Sequence, residues 1–341
     1  MAIEKCAGRA ARHPAGDCTP VFDHIAVWAA DTEASAKFLT EVMGWKRHPT
    51  VIRVSDEEKT TGGMIGTFFD APGLWIELIE PTTPGPGRDI LDALGDGALV
   101  EINFDVGDSY GLALQKLADR GVEMLSMDGS PLRDGGTIDE GVFDDGEIQN
   151  AGQRIAYFPT ELTHGTTVEY YEVLSGDDGS LIHERDRVWK DETREPGTPY
   201  IDHVSIVTDD AEHAVAFFGE YMGLRPKPGT IEEAGAKIVL VDANGADDTD
   251  LWLRLVEPTS GSRAARMLEA RGPGHIMELG VVVDDIAAFQ LRVAALGITL
   301  VNARGEPFEA ADVIVQEAYF RPEESCGIPI RLVAASTSRA Q

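Results

Sequence analysis

The chain has 341 residues, of which 29 are basic and 59 acidic, giving a net charge of -30. A surface this acidic repels nucleic acid and anionic membrane, so neither is expected as a partner. The apolar fraction of 43% is ordinary for a globular protein, and no apolar run reaches the roughly eighteen residues of a membrane-spanning helix.

Residues 1–19 are small, charged and aperiodic, and read as a flexible N-terminal arm. They lack the apolar segment of a secretory signal. Cys6, Cys18 and Cys326 lie at unrelated positions and form no disulfide framework. The expected location is therefore cytoplasmic. Strand-like text begins at Val21 and alternates through His24, Ala26 and Trp28. A helix follows, with Asp31 as N-cap, an apolar stripe of Phe38, Leu39, Val42 and Met43, and Gly44 as its end. MIGTFFD and LWIELIE are strands separated by the turn signal APG. The pattern then restarts. LVEINFDV is a strand, YGLALQKLADRG a helix with Leu112, Leu114 and Leu117, and IAYFPT and TTVEYYEV are strands.

A second copy of this text follows. LWIELIEPT matches LWLRLVEPT, and AYFPTELTHGTTVEY aligns without gaps on AYFRPEESCGIPIRL. Glu77 and Arg254 are 177 positions apart, as are Glu101 and Glu278, while His24 and His203 are 179 apart. Glu169 and Arg331 are only 162 apart, so the first half carries an insertion, SMDGSPLRDGGTIDEGVFDDGEIQNAG. It reads either as a solvated acidic loop or as a lid beside a site. The duplication implies two domains, 20–175 and 199–335, joined by a charged linker over 176–198 containing Trp189, with a tail over 336–341. The second copy repeats the first helix with Asp209 or Asp210 as cap, then Val215, Phe218, Met222 and Gly223.

Each domain thus reads βαβββ twice. Two such units related by a pseudo-twofold axis curve their sheets into a half-open cup, and side chains of one parity meet on its floor. In the first domain the equivalent strand positions carry His24, Glu77, Glu101 and Glu169. In the second they carry His203, Arg254, Glu278 and Arg331. A carboxylate left unpaired on an apolar strand is costly, so Glu77 and Glu169 must each face a cation, either a metal or an arginine. In the second cup the two arginines repel a divalent ion. The expectations there are a salt-bridged floor of Glu278 with Arg254 and Arg331, or a pocket for a substrate carboxylate. His275 is expected to be structural or at the surface. His164 is either a proton shuttle or a surface residue.

The order DHIAV, LWIELIEP, a strand with a V-x-D helix start, and a G-x-x-x-E closing strand resembles the vicinal oxygen chelate superfamily. That superfamily includes glyoxalase I, methylmalonyl-CoA epimerase, extradiol dioxygenases and bleomycin-resistance proteins. The resemblance covers about 20–175 and 199–335. It implies an α+β fold of two tandem domains, each of paired βαβββ modules forming a half-open cup around a divalent metal. It also implies that His24, Glu77 and Glu169 are metal ligands. Glu101 stands where most members have histidine. This oxygen-rich set suits Mn²⁺, Mg²⁺ or Co²⁺, with Zn²⁺ or Fe²⁺ also open.

The leading expectation is a metal-dependent isomerase, epimerase or lyase that moves a proton next to a carbonyl of a small oxygen-chelating substrate. Glu169 or Glu77 is its acid/base. A dioxygenase is the first alternative, although a facial triad needs two histidines and one carboxylate. A non-catalytic small-molecule binder is the second. A homodimer remains open.

Overall fold

The computed structural model describes residues 20–54, 63–106, 110–126, 129–132, 138–139, 142–143, 152–174, 197–233, 235–243, 251–259, 261–308 and 316–335. The arm with Cys6 and Cys18, nearly all of the linker with Trp189, the tail and most of the insertion lie outside them. None of the helices among the described residues is long and apolar enough to cross a membrane.

The first half runs β1 (Val21–Trp28), α1 (Thr32–Lys37), β2 (Lys46–Val54), β3 (Met64–Ala71), β4 (Leu74–Pro81), α2 (Pro86–Leu94), β5 (Ala98–Asp105) and α3 (Tyr110–Asp119). Then come β6 (Ile138–Asp139), β7 (Val142–Phe143), β8 (Gly152–Tyr157) and β9 (Thr167–Leu174). The second half runs β10 (Tyr200–Val207), α4 (Ala211–Met222), β11 (Arg225–Pro226), β12 (Ile231–Glu233), β13 (Ala236–Asp242), β14 (Trp252–Pro258) and α5 (Arg263–Arg271). It ends with β15 (Ile276–Val283), α6 (Ile286–Ala294), β16 (Glu317–Tyr319) and β17 (Ile330–Ala334).

Local chemistry sets the helix ends. The Asp31 carboxylate accepts from the Ala34 N–H at 3.0 Å, and the last turn of α1 widens into π geometry over Phe38–Val42. Asp210 rather than Asp209 caps α4, accepting from the His213 N–H at 2.9 Å, and Gly223 ends it at φ 71. The buried stripe of α3 is Tyr110, Ala113 and Leu117, with Leu114 partly covered. Leu112 is 49% exposed, contrary to expectation, because it points about 200° round the helix from Tyr110.

The fold is α+β, with one mixed sheet per half. The first sheet has the order β6-β8-β9-β5-β1-β4-β3-β2-β7, and the second runs β11-β13-β14-β10-β15-β17-β16 with β12 on β13. Neither closes into a barrel. In each sheet an antiparallel central pair, β1–β5 or β10–β15, joins two modules. Each central strand is flanked on its other side by a parallel partner, β4 or β9 and β14 or β17. One strand of each second module shrinks to isolated bridges, Leu125–Tyr157 and Val301–Tyr319. Pro131 and Pro307, which sit opposite Leu125 and Val301, have no N–H to extend a ladder. Helices α2 and α5, between the modules, were not anticipated. Leu91 of α2 packs on Ala26, Trp28 and Ile79, and Ala264 of α5 on Val207, Ile238 and Met277.

The opposite faces of both sheets share a single core. Ile25, Val27, Ile102 and Phe104 of the first half belong to one cluster with Val204, Ile206, Leu279 and Val281 of the second. The halves meet with the same pseudo-symmetry that relates their sequences. A Cβ on Gly97 would fall 2.2 Å from the Gly327 carbonyl carbon, and one on Gly274 would fall 2.1 Å from that of Gly165. Gly97 corresponds to Gly274 and Gly165 to Gly327, so one backbone-on-backbone contact is made twice. All four have positive φ, which glycine adopts without strain.

Candidate functional site in the N-terminal cup

Strand alternation divides β1 between two environments. Ile25 and Val27 join the shared core, and His24 and Ala26 face the opposite side of the sheet. Register then assembles the floor. Ala26 lies between Glu77 on β4 and Glu101 on β5. One rung along, His24 pairs with Asn103, Asn103 with Glu169, and Glu169 with Tyr157. The four residues expected from sequence therefore occupy two adjacent rungs on four neighbouring strands.

His24 is buried, and its Nε2 lies 3.3 Å from Glu77 Oε2, while its Nδ1 lies 3.0 Å from Asp23 Oδ2. Tyr171 and Phe68 stand edge-on to the imidazole, with ring centroids at 5.2 and 5.9 Å. Burial disfavours a charge on His24, but the hydrogen bonds and charges of Asp23 and Glu77 outweigh it and raise the pKa to about 9. Burial and the neighbouring carboxylates Glu169 and Glu77 push Glu101 well above the usual carboxylate range. Burial also raises Tyr157, helped by the charges of Glu101 and Glu169 and by its hydrogen bond to Glu169.

A metal was expected on His24, Glu77, Glu101 and Glu169. Among the described residues no three histidine, cysteine or acidic groups stand close enough together to hold one. His24 and Glu77 instead bond directly to each other. The donor chemistry still fits a divalent ion: one imidazole and three carboxylates share two adjacent rungs of the sheet, with His24 and Glu169 buried. Among the described residues, the charges acting on Glu101 are those of two carboxylates and one imidazole, with no arginine among them. A cation there would relieve the repulsion of Glu169 and Glu77 that, with burial, raises the Glu101 pKa.

The second cup is built differently. Glu278 is paired as expected, but its closest partner is Arg263 at 2.6 Å, with Arg254 at 3.8 Å and Arg331 at 4.0 Å. Arg254 and Arg331 each reach Glu233 at 2.7 Å, and Arg331 also reaches Glu317 at 2.7 Å. Among the described residues three arginines thus meet three carboxylates, which leaves no cationic excess there. The partners Glu233, Arg263 and Glu317 could not be named from the repeat, because their positions follow from register and from α5.

His164 bonds Asp209 and stacks on His213 with centroids at 4.9 Å, so its imidazole serves the contact between halves. His275 bonds the Arg271 carbonyl and is structural. Asp23, Asn103 and Tyr157 were missed. Asp23 and Tyr157 have repeat partners, Asp202 and Tyr319, which is a usable signal, whereas Asn103 matches Gly280. The insertion places β6 on the β8 edge and β7 on the β2 edge.

Models of the Glyoxalase/Bleomycin resistance protein/Dioxygenase superfamily match residues 21–146 and 202–315, together well over half of the chain. No curated protein matches it. A triple mutant of 4-hydroxymandelate synthase from Streptomyces coelicolor has a similar structure, with a TM-score of 0.57 at 14% identity, covering 92% of this chain and 93% of that one. Methylmalonyl-CoA epimerase from Mycobacterium tuberculosis matches at a TM-score of 0.34 and 23% identity, over 41% of this chain and 90% of that one.

Proposed function

Since the chain belongs to the Glyoxalase/Bleomycin resistance protein/Dioxygenase superfamily as a tandem pair of domains, we infer that its N-terminal cup is the site of a metal-dependent isomerase or lyase acting on a small substrate with two neighbouring oxygens. The observation that carries this reading is the placement of His24, Glu77, Glu101 and Glu169 on adjacent rungs of four neighbouring strands, against equivalent positions in the second half that carry paired arginines. His24, Glu77, Glu101 and Glu169 would hold the metal. When bound, it supplies Lewis-acid stabilisation of charge developing on the substrate oxygens.

The remaining work falls to the protein's own groups. Glu169 takes the proton from the carbon beside the carbonyl and returns it. Tyr157 holds Glu169 by a hydrogen bond and fixes its direction. Glu77, tethered to His24, is the second carboxylate able to carry a proton. Asp23 orients His24 through Nδ1, as an outer carboxylate does for a ligating imidazole. Phe68 and Tyr171 give the substrate's carbon skeleton an apolar wall and displace water.

The test is elemental analysis of purified protein and of a His24→Ala variant, then anaerobic incubation of candidate hydroxycarbonyl compounds in deuterated water. Metal at about one per chain, lost in the variant, and metal-dependent exchange of a carbon-bound hydrogen support the reading. Protein without metal affinity supports the non-catalytic binder. Stoichiometric dioxygen uptake supports the dioxygenase.

A further inference from the structure

The two first-strand histidines share one tether and still take different positions. His24 Nδ1 meets Asp23 at 3.0 Å, and His203 Nδ1 meets the equivalent Asp202 at 2.8 Å. His24 presents Nε2 to Glu77 at 3.3 Å. His203 presents Nε2 to nothing: among the described residues this buried atom has no hydrogen-bond partner. The tether therefore does not decide where the ring goes.

The cross-strand neighbour differs between the copies. His24 pairs with Asn103, and His203 with Gly280. A Cβ built on Gly280 would lie 2.1 Å from His203 Cε1 and Nε2 and 2.4 Å from Nδ1. The His203 ring thus lies flat over the Gly280 backbone, in space that any other residue would occupy. Asn103 has a Cβ there, so the His24 ring is denied that place. The Asn103 Nδ2 reaches toward the His24 carbonyl at 3.5 Å, and its Oδ1 is buried with no partner among the described residues.

We propose that Asn103 is a positioning residue for His24: its side chain fills the space over β5 and turns the imidazole toward Glu77. Glycine at the equivalent Gly280 lets His203 fold away. The metal part of this inference rests on the functional reading above, but the steric part does not. A single cross-strand residue then selects between a histidine presented to the cup and one laid against the sheet, independently of the histidine itself.

The experiment compares Asn103→Gly with Asn103→Ala, since alanine keeps the Cβ and glycine removes it. Co²⁺ affinity is measured by calorimetry, and the His24 ring is followed by NMR through its contact with the Tyr171 ring in metal-free protein. Asn103→Gly is expected to weaken Co²⁺ by about tenfold or more, the scale for losing a group that orients a ligand, and to lose the ring contact. Asn103→Ala is expected to keep both near wild type. Equal behaviour of the two variants overturns the proposal. If the wild type binds no Co²⁺, the metal reading fails while the ring contact still decides the steric one. Should Asn103→Gly not fold, Gly280→Ala replaces it: His203 must leave its contact with residue 280, and an unmoved ring overturns the idea.

Discussion

Glu101 and Glu278 are the same position in the two repeats, 177 residues apart, and replacing each with glutamine should have opposite effects on stability. Glu278 is 2% exposed and faces Arg263, Arg254 and Arg331. Removing one partner of a buried ion pair costs about 3–5 kcal/mol. Two features lower the figure: the Arg263 side chain is 43% exposed and therefore screened, and Arg254 and Arg331 retain Glu233. Glu278→Gln should thus cost about 3 kcal/mol, the low end of that range. Glu101 sits instead between like charges, and its folded pKa is raised above its unfolded value. A carboxylate of that kind destabilises the fold once pH rises above the unfolded pKa. At neutral pH, with chelator present, Glu101→Gln should leave stability unchanged or raise it. Urea unfolding of both variants with and without EDTA is the assay. Added Mn²⁺ should stabilise the wild type by mass action and Glu101→Gln less. Equal losses in chelator would refute the claim that Glu101, unlike Glu278, has no arginine partner among the described residues.

Other outcomes follow from the same geometry. Glu169→Gln should abolish proton exchange while circular dichroism stays native, since an amide fills the space but accepts no proton; wild-type exchange removes Glu169 from the mechanism. Metal affinity should rise with pH toward about 9, the pKa of His24, because a protonated imidazole must lose its proton to ligate. Titrations should show roughly a tenfold gain per pH unit for that one proton, and a flat profile from pH 6 to 8 would exclude His24 as a ligand. Gly274→Ala places a Cβ against Gly165 at a φ of +82 and should cost at least about 1–3 kcal/mol by overpacking. A neutral result in thermal unfolding would mean the two halves do not meet there.

Much of this protein was decided locally. The caps Asp31 and Asp210 were legible because an N-cap bonds an N–H only three residues ahead. The repeat exposed His24, Glu77, Glu101 and Glu169 because strand alternation and module order fix which positions face the floor. Both determinants are short-range or periodic, so a single chain displays them. Tertiary structure decided the rest. Glu233 holds Arg254 and Arg331 from a strand that contacts neither in sequence, Asn103 and Gly280 matter only through the residue across the ladder, and Leu112 is exposed because α3 turned another face to the core. Partners of that kind are set by inter-strand register and helix rotation, which depend on the packing of the whole sheet rather than on any neighbouring residues in the chain.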